Sequence, residues 1–177
     1  MQAYAVVHSR STVVLAKKRV RNRWWNGVLS PHATVVNQAG QWALPGGEIE
    51  DGEEGEDAAT REFLEETGVD LWRFNCTVET LMGTGDYVAV EFVVSEADVR
   101  RIALNAGFNL AARPGFPGRP RGMGVQDWEL ESVRLTPVNQ VTSFLGVRQN
   151  VQGIFPQGGR QAIDWYARIA DSIHRLC

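Results

Sequence analysis

The sequence predicts a mixed α/β fold, and three patterns indicate it. Residues 3–7 and 12–16 are β-branched runs, typical of two strands or of one strand with a break. Residues 57–67 have apolar side chains at helical spacing among charged ones. Residues 161–176 have a longer amphipathic pattern, which predicts a helix that closes the chain. We therefore expect strands on both sides of a short acidic helix.

The remaining elements follow from strand and turn signals. Further strands are expected at residues 75–82, 87–94 and 129–135, and Pro137 begins a turn. Ser95 and Asp98 have the spacing of a capping box, and the apolar residues after them predict an inserted helix that ends at Gly107. Residues 111–124 are rich in proline and glycine, so we expect a loop there, and loops of this length are usually functional or disordered.

Composition favours one soluble globular domain over residues 1–177. The chain has 44% hydrophobic residues and a net charge of −3, which gives no indication of a nucleic-acid polymer partner. Cys76 and Cys177 lie far apart and lack metal-ligand spacing, so a reducing cytoplasm is expected. Neither a signal peptide nor a membrane span is expected, because no apolar run is long enough.

The segment 47–69 is the most informative part of the chain. Ten of the 21 acidic residues lie between residues 48 and 66, where Arg61 is the only base. The apolar stripe of the predicted helix, Ala59 and Phe63 with Leu64 beside them, is expected to face the core. Gly68 stands where a left-handed C-terminal cap belongs.

Three glutamates on this helix indicate a metal site. Glu62, Glu65 and Glu66 lie at i, i+3 and i+4, so they share one face and are expected to converge on one point. Carboxylates grouped in this way repel each other, and a divalent cation removes that penalty. Because the ligands are all oxygens, Mg²⁺, Mn²⁺ or Ca²⁺ is favoured over Zn²⁺. Mg²⁺ takes its other ligands from phosphates, which makes a polyphosphate the natural substrate.

The alternative is a solvated acidic helix, which is what most charge runs are. The segment 47–69 has the pattern G, five residues, E, seven residues, R-E-apolar-x-E-E-x-G-apolar. A solvated helix would require neither the two glycines nor the arginine at these positions. This pattern resembles the signature of the Nudix hydrolases, Mg²⁺-dependent enzymes that cut the diphosphate bond of nucleoside diphosphates linked to another group. The resemblance covers residues 42–69 at motif level and extends weakly over 3–141. It implies an α/β/α sandwich around a mixed sheet with a loop–helix–loop catalytic motif, in which W-x-x-P-G-G at 42–47 ends a strand beneath the active site.

The resemblance also implies roles for particular residues. Arg61 is expected to orient a glutamate, and Glu53 matches a residue that serves as a brace or contributes to metal binding. Glu129 lies where several family members carry an acidic residue that binds metal or acts as base, with Asp127 and Glu131 as competitors. Which carboxylate takes the proton stays open. The expected catalytic residues are Glu53, Arg61, Glu62, Glu65 and Glu129, and the expected metal ligands are the Gly47 carbonyl, Glu62, Glu65 and Glu66.

The resemblance implies Mg²⁺, with Mn²⁺ as a substitute, and a small nucleotide substrate. We expect a nucleoside or deoxynucleoside triphosphate, with ADP-ribose or nucleotide sugars and dinucleoside polyphosphates as alternatives. Thr84 and Gly85 replace a proline of the family's ADP-ribose cleavers, whereas Tyr87 has the spacing of its dinucleoside polyphosphate cleavers.

Two further readings stay open. Bases beside tryptophans at residues 17–25 indicate either phosphate binding with base stacking or a solvated strand edge. A rival from another class is a nucleotide sensor without hydrolysis, which the complete motif disfavours. We expect a cytoplasmic protein without a membrane partner, and a homodimer stays open.

Overall fold

The computed structural model describes residues 1–111, 124–145 and 160–175, with side chains from Tyr166 onward in the last segment. The strands within these residues are β1 (Gln2–His8), β2 (Thr12–Lys18), β3 (Arg21–Trp25), β4 (Val28–Val35), β5 (Trp42–Ala43), β6 (Gly46–Glu48), β7 (Thr77–Gly83), β8 (Tyr87–Val93) and β9 (Leu130–Pro137). The helices are α1 (Gly55–Thr67), α2 (Glu96–Ala111) and α3 (Arg160–Arg175), with single 3₁₀ segments at Leu71–Arg73 and Val138–Ser143.

The central sheet is mixed. Its strands run in the order β5, β2, β1, β8, β7, with β6 paired to β1 and β9 paired to β2. β1 and β8 are parallel, and the other pairs are antiparallel. β1 and β2 pair only near His8 and Val13, and residues 42–48 pair with β2 through β5 and with β1 through β6. This segment therefore occupies the gap where β1 and β2 diverge, and it brings two glycines, Gly46 and Gly47, to the surface on which α1 packs.

Helices cover both faces of this sheet. Alternate residues of a strand point to opposite faces, so Val7 packs with Phe63 of α1 and Ile102 of α2. Val6 packs on the other face with Ile169 of α3. Burial of large apolar side chains such as these contributes about 1.5–3 kcal/mol each and fixes the three layers. The α/β/α sandwich predicted from the sequence is confirmed.

The predicted elements are found with shifted ends. Residues 3–7 and 12–16 form two strands, and α3 lies one residue earlier than expected. α1 ends at a left-handed Gly68, with φ 69° and ψ 17°, as predicted. The prediction for Leu64 was wrong, because its side chain is 36% exposed and Ala58 is buried beside Ala59 instead.

The predicted end of the inserted helix at Gly107 was also wrong. α2 continues to Ala111, because its last turn buries Asn109 and Leu110. The Asn109 amide donates to the carbonyls of Thr67 and Gly68 at 3.0 Å each. These contacts outweigh the roughly 1 kcal/mol that glycine costs a helix interior.

A hairpin formed by β3 and β4 was not predicted. Its turn is Asn26-Gly27, and both residues have positive φ, 47° and 73°. Asn-Gly is the preferred pair for a tight hairpin turn, so the signal was present in the sequence. Most of the predicted loop at 111–124 lies outside the described residues. Among the helices that are described, none is long and apolar enough to cross a membrane.

Candidate active site

Arg61 is the centre of the acidic motif. Its Nε and Nη2 donate to the two carboxylate oxygens of Glu53 at 2.9 and 3.0 Å, which is a forked, charge-assisted pair. Its Nη1 donates to Glu62 at 2.9 Å and to Glu65 at 3.2 Å, and Nη2 also donates to the Glu48 carbonyl at 2.8 Å. The sequence predicted that Arg61 orients one glutamate, and in the structure it contacts the carboxylates of three.

Glu53 contacts both this arginine and the loop before α1. Its carboxylate also accepts from the Glu50 backbone N–H at 3.0 Å, and its own N–H donates to the Glu50 carbonyl at 3.1 Å. The hydrogen bonds from Arg61 lower the pKa of Glu53 below its ordinary value. The hydrogen bonds with Glu53 raise the pKa of Arg61, and those with Glu62 add to the rise.

Gly47 lies directly against the carboxyl group of Glu62. A Cβ at position 47 would be 2.6 Å from the carboxyl carbon and from both oxygens of Glu62, so only glycine permits this approach. Burial raises the pKa of Glu62, and the nearby Glu65 and Asp127 add to the rise against the opposing effect of Arg61. The Gly47 backbone and the Glu62 carboxylate thus share one small space.

Glu66 faces a different partner. It is 3% exposed, and one oxygen accepts from Lys18 Nζ at 3.1 Å while the other accepts from the Gly46 N–H at 3.0 Å. Lys18, 7% exposed, also donates to Glu129 at 2.5 Å. Burial lowers the pKa of Lys18, but the Glu66 and Glu129 carboxylates raise it further than burial lowers it. Burial raises the pKa of Glu66, Lys18 opposes that rise, and Glu129 adds to it.

Lys18 was not singled out from the sequence, where it appeared as one base in a basic run. Counting by two along β2 places it on the same face as Ala16 and Val14, the latter in the core beneath α1. A lysine at the end of a buried strand face is the signal that could have found it. Within the segment 17–25, Arg23 donates to carbonyls of β4 at 3.1 Å, so its guanidinium supports the hairpin.

The competitors of Glu129 are separated by the structure. Glu131 is on the surface, 4.0 Å from the partly exposed Lys17. Asp127 lies near the site, since its backbone N–H and that of Gln126 donate to the Glu65 carbonyl at 3.1 and 2.8 Å. Burial raises the pKa of Asp127, and Glu129 and Glu65 contribute to the rise.

The expected convergence of Glu62, Glu65 and Glu66 on one point is not observed. In the three described segments, no group of three or more His, Cys, Asp or Glu side chains forms a ready-made metal site. The physical reason is that Arg61 attracts Glu62 and Glu65, whereas Lys18 attracts Glu66. The donor set still fits a hard divalent cation, because every candidate side-chain ligand is a carboxylate and the Gly47 backbone lies directly against the Glu62 carboxyl group.

A pocket of about 180 Å³ adjoins this site. Its lining includes Tyr4, Lys18, Gln38, Gly47, Glu129 and Tyr166. The rings of Tyr4 and Tyr166 lie 5.3 Å apart, which joins β1 to α3 at the pocket wall. A larger pocket of about 520 Å³ lies beside Gly68 and Phe108, and none of the predicted catalytic residues lines it.

Tyr87 and two histidines, His8 and His32, do not line this pocket. Tyr87 is 2% exposed and packs in the core beneath α3. His8 is buried 3.4 Å from Glu91, and His32 is exposed in β4. Neither histidine contacts the carboxylates of the motif.

Fold and site together define a class, an α/β/α sandwich whose acidic loop–helix–loop motif surrounds one arginine. The chain belongs to the NUDIX domain family, whose model matches residues 3–157. It is accordingly a pyrophosphohydrolase, and enzymes of this family generally use a divalent metal. The match extends beyond the residues 3–141 expected from the sequence.

Solved structures share the fold at low sequence identity. A mutT/nudix family protein from Listeria innocua is 16% identical, with a TM-score of 0.52, over 97% of this chain and 88% of that one. The Nudix hydrolase RenU from M. smegmatis is 18% identical, with a TM-score of 0.52, over 99% and 86%. At such identities the likeness shows the fold alone. A comparison with curated protein sequences gave no significant match.

Proposed function

We propose that this protein uses Mg²⁺ to hydrolyse a diphosphate bond in a nucleoside diphosphate derivative, most specifically a nucleoside or deoxynucleoside triphosphate. The observation that carries the proposal is the group of carboxylates held by Arg61, in which the Glu62 carboxyl group lies directly against the Gly47 backbone. Holding three like charges side by side is unfavourable unless a cation balances them. Here the arrangement supplies oxygen ligands with a single guanidinium among them.

The residues proposed to hold Mg²⁺ are the Gly47 carbonyl, Glu62, Glu65 and Glu66, with Mn²⁺ as a substitute. When bound, the ion would supply stabilisation of the charge that develops on the phosphate and would lower the pKa of the attacking water. Arg61 and Glu53 are proposed to orient the ligands, because the fork between them fixes the arginine that contacts Glu62 and Glu65. Such positioning is worth a large factor, since a misplacement of about 1 Å can cost about a hundredfold in rate.

Glu129 is proposed as the residue that takes a proton from the attacking water. It lines the pocket, is brought to the site by the segment before β9, and is hydrogen-bonded to Lys18. Asp127 is the second candidate, because it lies at the same end of α1. A test with a matched control is available, since Glu131 lies on the same segment but at the surface. Glu129→Gln should lower kcat by about a hundredfold or more, the usual range for general acid–base catalysis, and Glu131→Gln should not.

A nucleoside or deoxynucleoside triphosphate is proposed over larger substrates because of the residues that follow the motif. The burial of Tyr87 and the Thr84-Gly85 sequence give no support to dinucleoside polyphosphates or ADP-ribose. We further propose that residues 1–177 act as one domain on small nucleotides in the cytoplasm.

The experiment is a release assay with Mg²⁺ across nucleoside triphosphates, deoxynucleoside triphosphates, ADP-ribose, a nucleotide sugar and a dinucleoside tetraphosphate. For the triphosphates, phosphate would be measured with and without added inorganic pyrophosphatase, which distinguishes the two inorganic products. The other substrates would yield nucleotides and a sugar phosphate, which would be separated by anion-exchange chromatography. Glu65→Gln should lose about 10²–10³ in rate, whereas Glu56→Gln, on the exposed first turn of the same helix, should retain it. Absence of hydrolysis of every substrate, or equal rates for the two variants, would refute the assignment.

A further inference from the structure

Lys18 is a buried cation between two carboxylates of the site. It ends β2 and is nearly inaccessible to solvent, and its ammonium lies 3.1 Å from Glu66 and 2.5 Å from Glu129. Lysine is almost never buried to this extent unless it is paired, because taking its charge out of water is costly. The two pairings therefore explain why Lys18 stays charged in this place.

These contacts join parts of the chain that are distant in sequence. Glu66 belongs to α1, Glu129 precedes β9, and Lys18 links both to β2. The second oxygen of Glu66 is held by the Gly46 N–H, so the carboxylate is fixed on both sides. Lys18 thus balances the negative charge of both carboxylates, as a metal ion bound by Glu66 would also do.

We propose that Lys18 is an internal counter-ion that competes with the divalent metal for Glu66 while it also pairs with Glu129. It holds the two carboxylates when no metal is bound, and it lowers the affinity of the site for the metal alone. The inference rests on the metal requirement of the proposed function. Its physical basis is that a divalent ion bound by Glu66 must either displace the ammonium or share the carboxylate with it at close range.

A consequence concerns the order of binding. An anionic phosphate chain would restore the charge balance around the ammonium and the metal, so metal and nucleotide should bind more tightly together than separately. Lys18 would then act as a positioning residue, because the site would bind the metal tightly only when substrate is also bound. The rest of the site, three glutamates around Arg61, still carries excess negative charge and attracts the metal.

The test measures Mn²⁺ binding without nucleotide, by the electron paramagnetic resonance signal of free Mn²⁺. Lys18→Met keeps the length of the side chain and removes its charge, and it should bind Mn²⁺ at least about tenfold more tightly than wild type. Lys17→Met is the matched control. Lys17 is the neighbour of Lys18 in β2, but its side chain is 37% exposed and its acidic partner, Glu131, lies at the surface at 4.0 Å. Its affinity should equal that of wild type, and Lys18→Arg, which keeps the charge, should not gain affinity.

A measurement on wild type covers the case in which Lys18→Met does not fold. The buried ammonium should give a protected side-chain signal in ¹H–¹⁵N spectra of lysine-labelled protein, and Mg²⁺ should shift or remove that signal. Binding without any change in the Lys18 signal, or equal Mn²⁺ affinities of wild type and Lys18→Met, would overturn the inference and leave the proposed function intact. If neither protein binds Mn²⁺ without nucleotide, the inference fails, and the metal requirement is tested separately by hydrolysis with and without Mg²⁺.

Discussion

Replacement of Glu66 by glutamine gives opposite expectations from the sequence and from the structure. The i, i+4 spacing from Glu62 predicts that the change relieves repulsion, so that the variant is no less stable without metal. In the structure, however, the nearest charge to Glu66 is Lys18. Glutamine has one oxygen and one amide nitrogen, so it can accept from either Lys18 or the Gly46 N–H but faces the other with a donor. The variant should therefore be less stable even in EDTA.

The magnitude follows from what is left unpaired. Removing one partner of a buried ion pair costs about 3–5 kcal/mol when the other charge is stranded. Lys18 keeps its contact with Glu129, so the cost is closer to that of one buried donor without an acceptor, about 1–3 kcal/mol. For a chain of this size, at about 2–4 °C per kcal/mol, the melting temperature should fall by about 2–12 °C. Mg²⁺ should widen the difference, because wild type gains about 1.4 kcal/mol at ten times the Kd if Glu66 is a ligand.

The assay is thermal unfolding of wild type, Glu66→Gln and Glu56→Gln in EDTA and in millimolar MgCl₂, with ionic strength matched so that screening does not imitate binding. Glu56 lies on the exposed first turn of α1 and controls for the loss of one helix charge. Equal melting temperatures of wild type and Glu66→Gln in EDTA would contradict the reasoning from Lys18. An equal gain from Mg²⁺ in both would show that Glu66 is not a ligand.

Three further outcomes are expected. Gly47→Ala should leave the melting temperature within a few degrees but lower kcat by about a hundredfold, because the new Cβ displaces the flexible Glu62 carboxyl group; unchanged kcat would contradict the close approach. The pKa of Glu53 is lowered on folding, so this residue stabilises the protein above about pH 4.5, and that stabilisation is lost as the pH falls further. Urea unfolding at several pH values should show that the free energy of unfolding decreases less steeply with falling pH in Glu53→Gln than in wild type. Gly27→Ala strains a left-handed position by about 1–2 kcal/mol, and denaturant unfolding should show that loss while Gly85→Ala, in the turn before β8, shows none.

The sequence could predict the parts of the site that depend on local spacing. Arg61 and Glu65 are one helical turn apart and lie 3.2 Å from each other, and Gly68 forms the left-handed cap that its place after the helical pattern predicts. The layers of the sandwich were predictable for a similar reason. Strand and helix periods decide which side chains are buried before any tertiary contact is known.

The parts that were missed depend on contacts between distant segments. Helical spacing places Glu62 and Glu66 on one face, but it does not decide which cation each will meet, and that depends on β2 lying beside α1. The length of α2 beyond Gly107 likewise depends on Asn109 reaching Thr67 across the layer. A local glycine penalty is small compared with such packing, so the sequence alone gave the wrong end of the helix.

The hairpin of β3 and β4 contacts the loop that carries Glu129 into the site. Its turn is bonded to the loop that precedes Glu129, since Gly27 N–H donates to the Gln126 carbonyl at 2.9 Å and Asn26 N–H donates to the Asp127 carboxylate at 3.2 Å. The same loop donates twice to the Glu65 carbonyl at the end of α1. The loop is therefore held between the hairpin and the catalytic helix, and the position of Glu129 depends on both. Substitutions in the hairpin turn, which lies outside the acidic motif, should therefore change kcat by moving this loop, and they should affect the metal ligands less.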